Sequence, residues 1–166
     1  MTKATADETD RRSARTRQLV FEAFSDLVQT ERYDRIRTGD LIAKAGIGRS
    51  TFYEHFTDKN DVLSSSIAVP MSALADAVTG RGAAARVDFI LEHFWSRRHL
   101  ARLVMDGEPG EVVAKCLRAL IEERMAPGAE AAFVAAGTFA VLRDWLAGRI
   151  QMPREELVAW MMARAG

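Results

Sequence analysis

Residues Gly46 to Phe56 read GIGRSTFYEHF. Three apolar anchors, Ile47, Phe52 and Phe56, are set among Arg49, Ser50, Thr51, Tyr53, Glu54 and His55. Phe52 and Phe56 are four apart, so on a helix they stack on one face. With a turn of about 100° per residue, Ser50, Thr51, Tyr53 and Glu54 cover the opposite arc, and Arg49 sits at its edge in the first turn. A helix is therefore expected over Gly48–Phe56. It is too polar to be a core element and makes a poor catalytic site.

The flanking sequence places this helix. Upstream, Thr38–Ala45 carries Leu41, Ile42 and Ala45 on one side, a helix of about two turns. Gly46 follows where a left-handed residue closes such a helix. Further upstream, Leu19, Val20, Ala23, Phe24, Leu27 and Val28 recur at helical spacing, with Phe21 at the border. They predict an amphipathic helix from Ser13 to Glu31. Downstream, Asp58 is placed to cap a fourth helix, and Asp61 suits its positive end. That helix is expected to reach Thr79, kinked or divided at Pro70. Short turns join the first three helices into a helix-turn-helix head.

A helix with this polar arc fits a major groove about 12 Å wide. Arg49 has the reach and the donors for guanine, and Ser50 and Thr51 are short enough to let the backbone approach. Tyr53 and His55 suit phosphates, which set register without reading sequence. Local charge agrees: Arg35, Arg37, Lys44 and Arg49 face only Asp40 in their stretch, and Arg11, Arg12, Arg15 and Arg17 form a second basic cluster. Both clusters suit phosphate contacts. Glu54 dissents, since an acid on the exposed arc repels phosphate. The competing reading is an ordinary solvated helix face.

Composition bounds the rest. The chain has 166 residues, 48% apolar and 28% charged, with four prolines and equal numbers of acids and bases, 23 each. That suits one domain, or two lobes sharing a core, and leaves any nucleic-acid signal to local patches. A single cysteine, Cys116, excludes a disulfide framework and a thiolate metal cluster. Residues 1–12 read as a polar, disordered tail. No stretch reaches the roughly 18 apolar residues that span a bilayer, so a soluble, cytoplasmic protein with no membrane partner is expected. Further helices are expected at Ala83–Arg98, Gly110–Met125, Ala129–Arg149 and Arg154–Ala165, with breaks at Gly107–Pro109, Pro127–Gly128 and Met152–Pro153. No strand pattern is found, and the class is all-α.

Ala129–Arg149 is rich in small residues. Phe133, Gly137 and Ala140 share one stripe, and Val134, Val141 and Trp145 share its neighbour; Leu157, Val158, Trp160, Met161 and Met162 mark the last helix. Small residues allow close helix approach, either within one chain or between two. The middle helices carry Phe89, His93, Phe94, Trp95, His99, Met105 and Cys116. Of these, Phe89, His93, Phe94, Met105 and Cys116 are candidates for an apolar pocket, with plain core as the alternative. His93 and His99 lack metal-ligand spacing, and no metal or other cofactor is expected. No nucleophile–base pair or carboxylate constellation points to an enzyme.

The stretch Tyr33–Leu63, YDRIRTGDLIAKAGIGRSTFYEHFTDKNDVL, resembles the DNA-binding head of the tetracycline-repressor (TetR) family. The strongest carriers are AGIGRSTFYEHF and the following Lys59 and Leu63. The resemblance implies a head over residues 13–66 and a helical ligand-binding and dimerisation lobe over 67–166. It implies a homodimer on a palindromic site in double-stranded DNA, usually a repressor released by a small-molecule effector. By motif, Arg49, Ser50 and Thr51 match positions near base edges and phosphates. Tyr53, His55 and Lys59 match positions set on the DNA backbone, with Lys59 adding charge to the start of the fourth helix. Arg37 falls where many relatives have a capping threonine, and Thr38 lies one residue later, so the start of the second helix stays open between them. In the last two helices the resemblance suggests a four-helix dimer interface with Phe133, Gly137, Ala140, Val141, Trp145, Leu157, Trp160 and Met161. The alternative is a protein of the same fold whose head no longer binds DNA. Glu54 motivates it, as does a neutral head: residues 1–66 hold 11 bases and 11 acids.

Overall fold

The computed structural model describes residues 2–163. Among the described residues every regular element is helical: α1 (Thr2–Thr30), a 3₁₀ turn η1 (Tyr33–Arg35), α2 (Thr38–Ala45), α3 (Arg49–Tyr53), α4 (Lys59–Val78), α5 (Ala84–Ser96), α6 (Arg98–Leu103), α7 (Gly107–Glu122), α8 (Ala129–Leu146) and α9 (Arg154–Met162). The all-α class is as expected. The chain divides into two compact units, Met1–Ser66 and Ile67–Gly166.

In the first unit α1 packs against α2. Val20, Ala23, Phe24 and Val28 of α1 are buried, as are Leu41 and Ala45 of α2 and Phe52 of α3. They follow the helical stripe read from the sequence, except that Leu19 of that stripe is exposed and Leu27 only half-buried. The expected disordered tail is corrected: the backbone is helical from Thr2. Extending a helix that is already packed adds one hydrogen bond per residue and needs no new nucleus. The Glu8–Arg12 ion pair, 2.8 Å at i,i+4, supports that extension.

α4 runs unbroken through Pro70, which neither divides it nor ends it. Leu63, Met71, Leu74 and Val78 are buried on either side of the proline, and their packing outweighs one lost backbone bond. Contrary to the expectation that no stretch is so apolar, α4 is by length and composition long and apolar enough to cross a membrane. Its buried residues are those of a core helix.

In the second unit α7 packs on α8, α5 on α9, and α6 against both α5 and α8. The expected helix Ala83–Arg98 is corrected: Arg97, at φ −114° and ψ 26°, breaks it and starts the separate α6. The expected break at Gly107–Pro109 is the first turn of α7 instead. Pro109 is tolerated there because first-turn amides have no helical acceptor anyway. Gly110 is buried against the chain before it: a Cβ would stand 2.5 Å from the Met105 carbonyl oxygen. Arg124, just past α7, ties that helix to α4. Its Nε donates to Asp76 at 2.6 Å, its Nη2 to the Ser72 hydroxyl at 2.7 Å and its Nη1 to the Leu120 carbonyl at 2.6 Å.

Three residues expected at a dimer interface, Trp145, Leu157 and Met161, lie in this unit's own core. Trp145 stacks on Trp95 with centroids 4.7 Å apart, and its indole N–H donates to the Met152 carbonyl at 2.9 Å. The buried face of α8 is Ala131, Ala135, Thr138, Leu142, Trp145 and Leu146, a single helical stripe. Phe133, 69% exposed, stands on the other side, with Gly137, Ala140 and Val141 half-buried beside it. A groove of about 120 Å³ runs there between Phe133, Val134, Gly137, Val141 and Trp160.

The pocket candidates divide in the same way. α5 buries Val87, Ile90 and Leu91, and the opposite face carries Phe89, 69% exposed, and His93. These two therefore line no enclosed pocket of this chain. Met105 is buried, and Phe94 and Cys116 are half-buried. Partial burial, and then the Glu123 carboxylate, push the Cys116 thiol above its ordinary range, so it stays protonated at neutral pH.

Candidate nucleic-acid interface

The turn that presents α3 depends on one glycine. Gly46 closes α2 at φ 65° and ψ 31°, and its amide donates to the Ala43 carbonyl at 3.2 Å. Ile47 N–H reaches back to the Ile42 carbonyl at 3.4 Å. Gly48, extended at φ −71° and ψ 151°, then starts α3, and Phe52 N–H donates to its carbonyl at 3.0 Å. A left-handed residue between two helices only a few residues apart sets their crossing.

The start of α2 is settled as well. Arg37 is the N-cap and Thr38 the first helical residue. An arginine side chain cannot accept an amide proton, and Asp40 compensates by accepting the Arg37 N–H at 2.8 Å.

Regular α3 geometry ends at Tyr53 rather than Phe56. The His55 and Phe56 amides still both donate to the Phe52 carbonyl, at 3.0 and 2.9 Å. That tightened turn keeps Phe56 under Phe52, with centroids 5.6 Å apart, and both rings are buried. Phe21 of α1 meets Phe56 edge-on at 5.7 Å, and the Arg17 guanidinium lies 5.1 Å from the Phe56 centroid. The aromatic floor thus fixes α3 from below.

Above that floor Arg49, Ser50, Tyr53 and Glu54 are exposed, and Thr51 and His55 half-exposed. Tyr53 is 50% exposed, its ring held edge-on to Phe52 at 5.5 Å. The outward side of α3 therefore carries Arg49, Ser50, Thr51, Tyr53 and His55, five of the expected DNA-site residues, together with Glu54. Arg37 and Thr38 stand at the start of α2, and Lys44, exposed near its end, is 3.2 Å from Asp26 of α1. Such an exposed pair is loosely held, and a phosphate can compete for the lysine.

Lys59, at the start of α4, has partners within the chain. Its ammonium turns inward, donating to the Tyr33 carbonyl at 2.8 Å and lying 4.3 Å from the Tyr33 ring centroid. Lys59 is spaced like a DNA contact in sequence, and only the fold reveals where its side chain goes.

A glycine-linked α2–α3 pair with a buried aromatic floor and a polar outer arc defines a helix-turn-helix protein. No family model matches the chain. It is 35% identical over 71 residues to YxbF of Bacillus subtilis, an uncharacterized HTH-type transcriptional regulator, a match covering 42% of this chain and 19% of that protein. It is also 35% identical over 54 residues to DhaS of Lactococcus lactis, an HTH-type dhaKLM operon transcriptional activator, covering 32% of this chain and 29% of that protein. The matches thus span less than a third of these curated relatives. The solved TetR transcriptional regulator from Streptococcus agalactiae superposes with TM-score 0.58 and 22% identity, over 96% of this chain and 98% of that one. A dihydroxyacetone kinase operon activator, DhaS, superposes with TM-score 0.54 and 16% identity, over 89% and 92%. The chain has the fold of the TetR-family transcriptional regulators.

Proposed function

We propose that this chain is a sequence-specific, double-stranded-DNA-binding transcriptional regulator acting as a homodimer in the cytoplasm. The observation that carries the reading is the outward arc of α3, Arg49, Ser50, Thr51 and Tyr53, rigidly backed by Phe52 and Phe56. The similarity to HTH-type regulators supports it. Glu54 supports the alternative of a head without DNA less than its charge suggests. It sits past the last turn of α3, at the C-cap, away from the first-turn residues that meet base edges.

A second copy is supported by the apolar outer face of α8 and α9. Phe133 is an aromatic ring in solvent beside a groove lined by Gly137, Val141 and Trp160. Two heads on a two-fold axis call for a palindromic operator with half-site centres about 34–36 Å apart, or a multiple. Selection from a random duplex pool tests this: the expected outcome is an enriched inverted repeat. A pool without enrichment, or a selected site with no dyad, overturns the corresponding part.

Two readings of sign compete. The family resemblance suggests repression, whereas DhaS is named an activator. A reporter driven by the selected operator decides, rising on deletion of a repressor and falling on deletion of an activator. The small-molecule effector is not part of the proposal, because Phe89 and His93, expected at its pocket, stand in solvent.

A further inference from the structure

Between the end of α1 and the start of α2 the first unit carries a cavity of about 650 Å³, open to solvent. That volume is in the range of small-molecule sites. Leu27 of α1 and Ile36 form its apolar part, and Ile36 is only 3% exposed. The chain is extended at Ile36, φ −67° and ψ 122°, and at Arg37, φ −103° and ψ 153°. Side chains alternate along extended backbone, so the buried Ile36 leaves its exposed neighbours Arg35 and Arg37 together on the outer side. Glu31, Asp34 and Asp40 complete the lining.

These charges are not equally engaged. Asp34 is held by Arg32, whose Nε and Nη2 donate to its two oxygens at 3.2 and 3.1 Å. Asp40 Oδ2 accepts the Arg37 N–H at 2.8 Å, which leaves Oδ1 available. The Glu31 carboxylate and the guanidiniums of Arg35 and Arg37 have no hydrogen-bond or ion-pair partner among the described residues. A simple anion placed here faces three carboxylates, and a simple cation faces two guanidiniums. Like charges at short range repel, so each is disfavoured at one end of the cavity. A ligand that carries both signs meets an opposite charge at each end.

We propose that this cavity is a site for a zwitterionic ligand of the amino-acid or short-peptide class. The donor forks of Arg35 and Arg37 take its carboxylate, Glu31 and Asp40 Oδ1 take its ammonium, and an apolar side chain lies on Leu27 and Ile36. The site uses none of Phe89, His93, Phe94, Met105 and Cys116, the residues expected at a pocket. Arg37 is also an expected DNA contact, so a bound ligand competes with a duplex for one guanidinium. That competition rests on the DNA-binding reading above, whereas ligand binding is measurable without DNA.

The full chain, Glu31→Gln and Arg35→Gln are each titrated calorimetrically with leucyl-leucine, its N-acetyl form and its C-terminal amide. Leucyl-leucine is expected to bind the wild type saturably at one site per chain. Each blocked form binds about tenfold more weakly or worse, the loss of one charge-assisted bond. Glu31→Gln weakens leucyl-leucine by a similar factor but leaves the N-acetyl form, which has no ammonium, nearly unchanged. Arg35→Gln does the same with respect to the amide. A general loss of structure does not match residue to ligand end in this way. No saturable binding of leucyl-leucine overturns the proposal, as do equal affinities for the three forms or variants that fail to discriminate between the blocked ends. Saturating leucyl-leucine is further expected to weaken wild-type affinity for the selected duplex, and to do so less in Glu31→Gln. A bound dipeptide that leaves duplex affinity unchanged overturns the competition. A wild type that enriches no duplex sinks the DNA-binding reading alone, and the calorimetry then decides the site.

Discussion

Arg49 combines charge, reach and exposure in the first turn of α3. Only such a side chain can donate two parallel bonds to one guanine. Arg49→Ala is expected to cost about 1–3 kcal/mol per half-site on the preferred operator and to relax preference at one symmetric base pair. Equal losses on operator and scrambled duplex would make Arg49 a phosphate clamp instead. The two glycines before it are separable by the same logic. An added Cβ at Gly46 meets open space, so Gly46→Ala is penalised only by the left-handed backbone, φ 65°. That penalty is about 1–2 kcal/mol, to be read as a lower urea midpoint. Gly48 is extended, and a Cβ there comes no closer than 3.5 Å, to Thr51 Oγ1, so Gly48→Ala should leave the midpoint nearly unchanged. Similar losses from both would mean that the turn geometry is not the cause.

The elements of the second unit depend on polar ties as well as apolar stripes. Arg124 is largely buried and is bonded to Asp76, Ser72 and Leu120, joining the end of α7 to α4. Arg124→Met removes a planar donor fork and leaves the Asp76 carboxylate without that partner in a half-buried site. The expected loss is about 2–3 kcal/mol by denaturant titration. Asp76→Asn should cost less, because the amide oxygen still accepts from Arg124 Nε. The reverse order would show that the charge of Asp76, and not the hydrogen-bond geometry, stabilises the junction.

The proposed assembly is tested on the outer face of α8 and α9. Phe133→Glu places a charge in the groove beside Val141 and Trp160 without touching the core. It is expected to give monomers by light scattering, with intact unfolding behaviour and much weaker operator binding. A variant that stays dimeric moves the interface elsewhere. Trp145→Glu makes a useful contrast: Trp145 is buried against Trp95 and bonded to Met152, so its loss should unfold the unit instead of dissociating it.

By itself the sequence determined the helix-turn-helix, because every signal for it acts within a few residues. Phe52 and Phe56 are one turn apart, Gly46 meets a left-handed requirement, and Asp58 and Asp61 cap the next amides. The all-α class followed from the same local periodicity. Only the tertiary structure decided which neighbour covers each apolar face. Periodicity marked Trp145, Leu157 and Met161 as apolar, but packing of α9 on α5 and of α8 on α7 took them into the chain's own core and left Phe133 outside. It equally decided the direction of Lys59, whose partner Tyr33 lies 26 residues earlier in the sequence. A stripe specifies that a face is to be buried, and a lysine that a charge is to be satisfied. Neither names its partner, which depends on contacts between segments far apart in the chain.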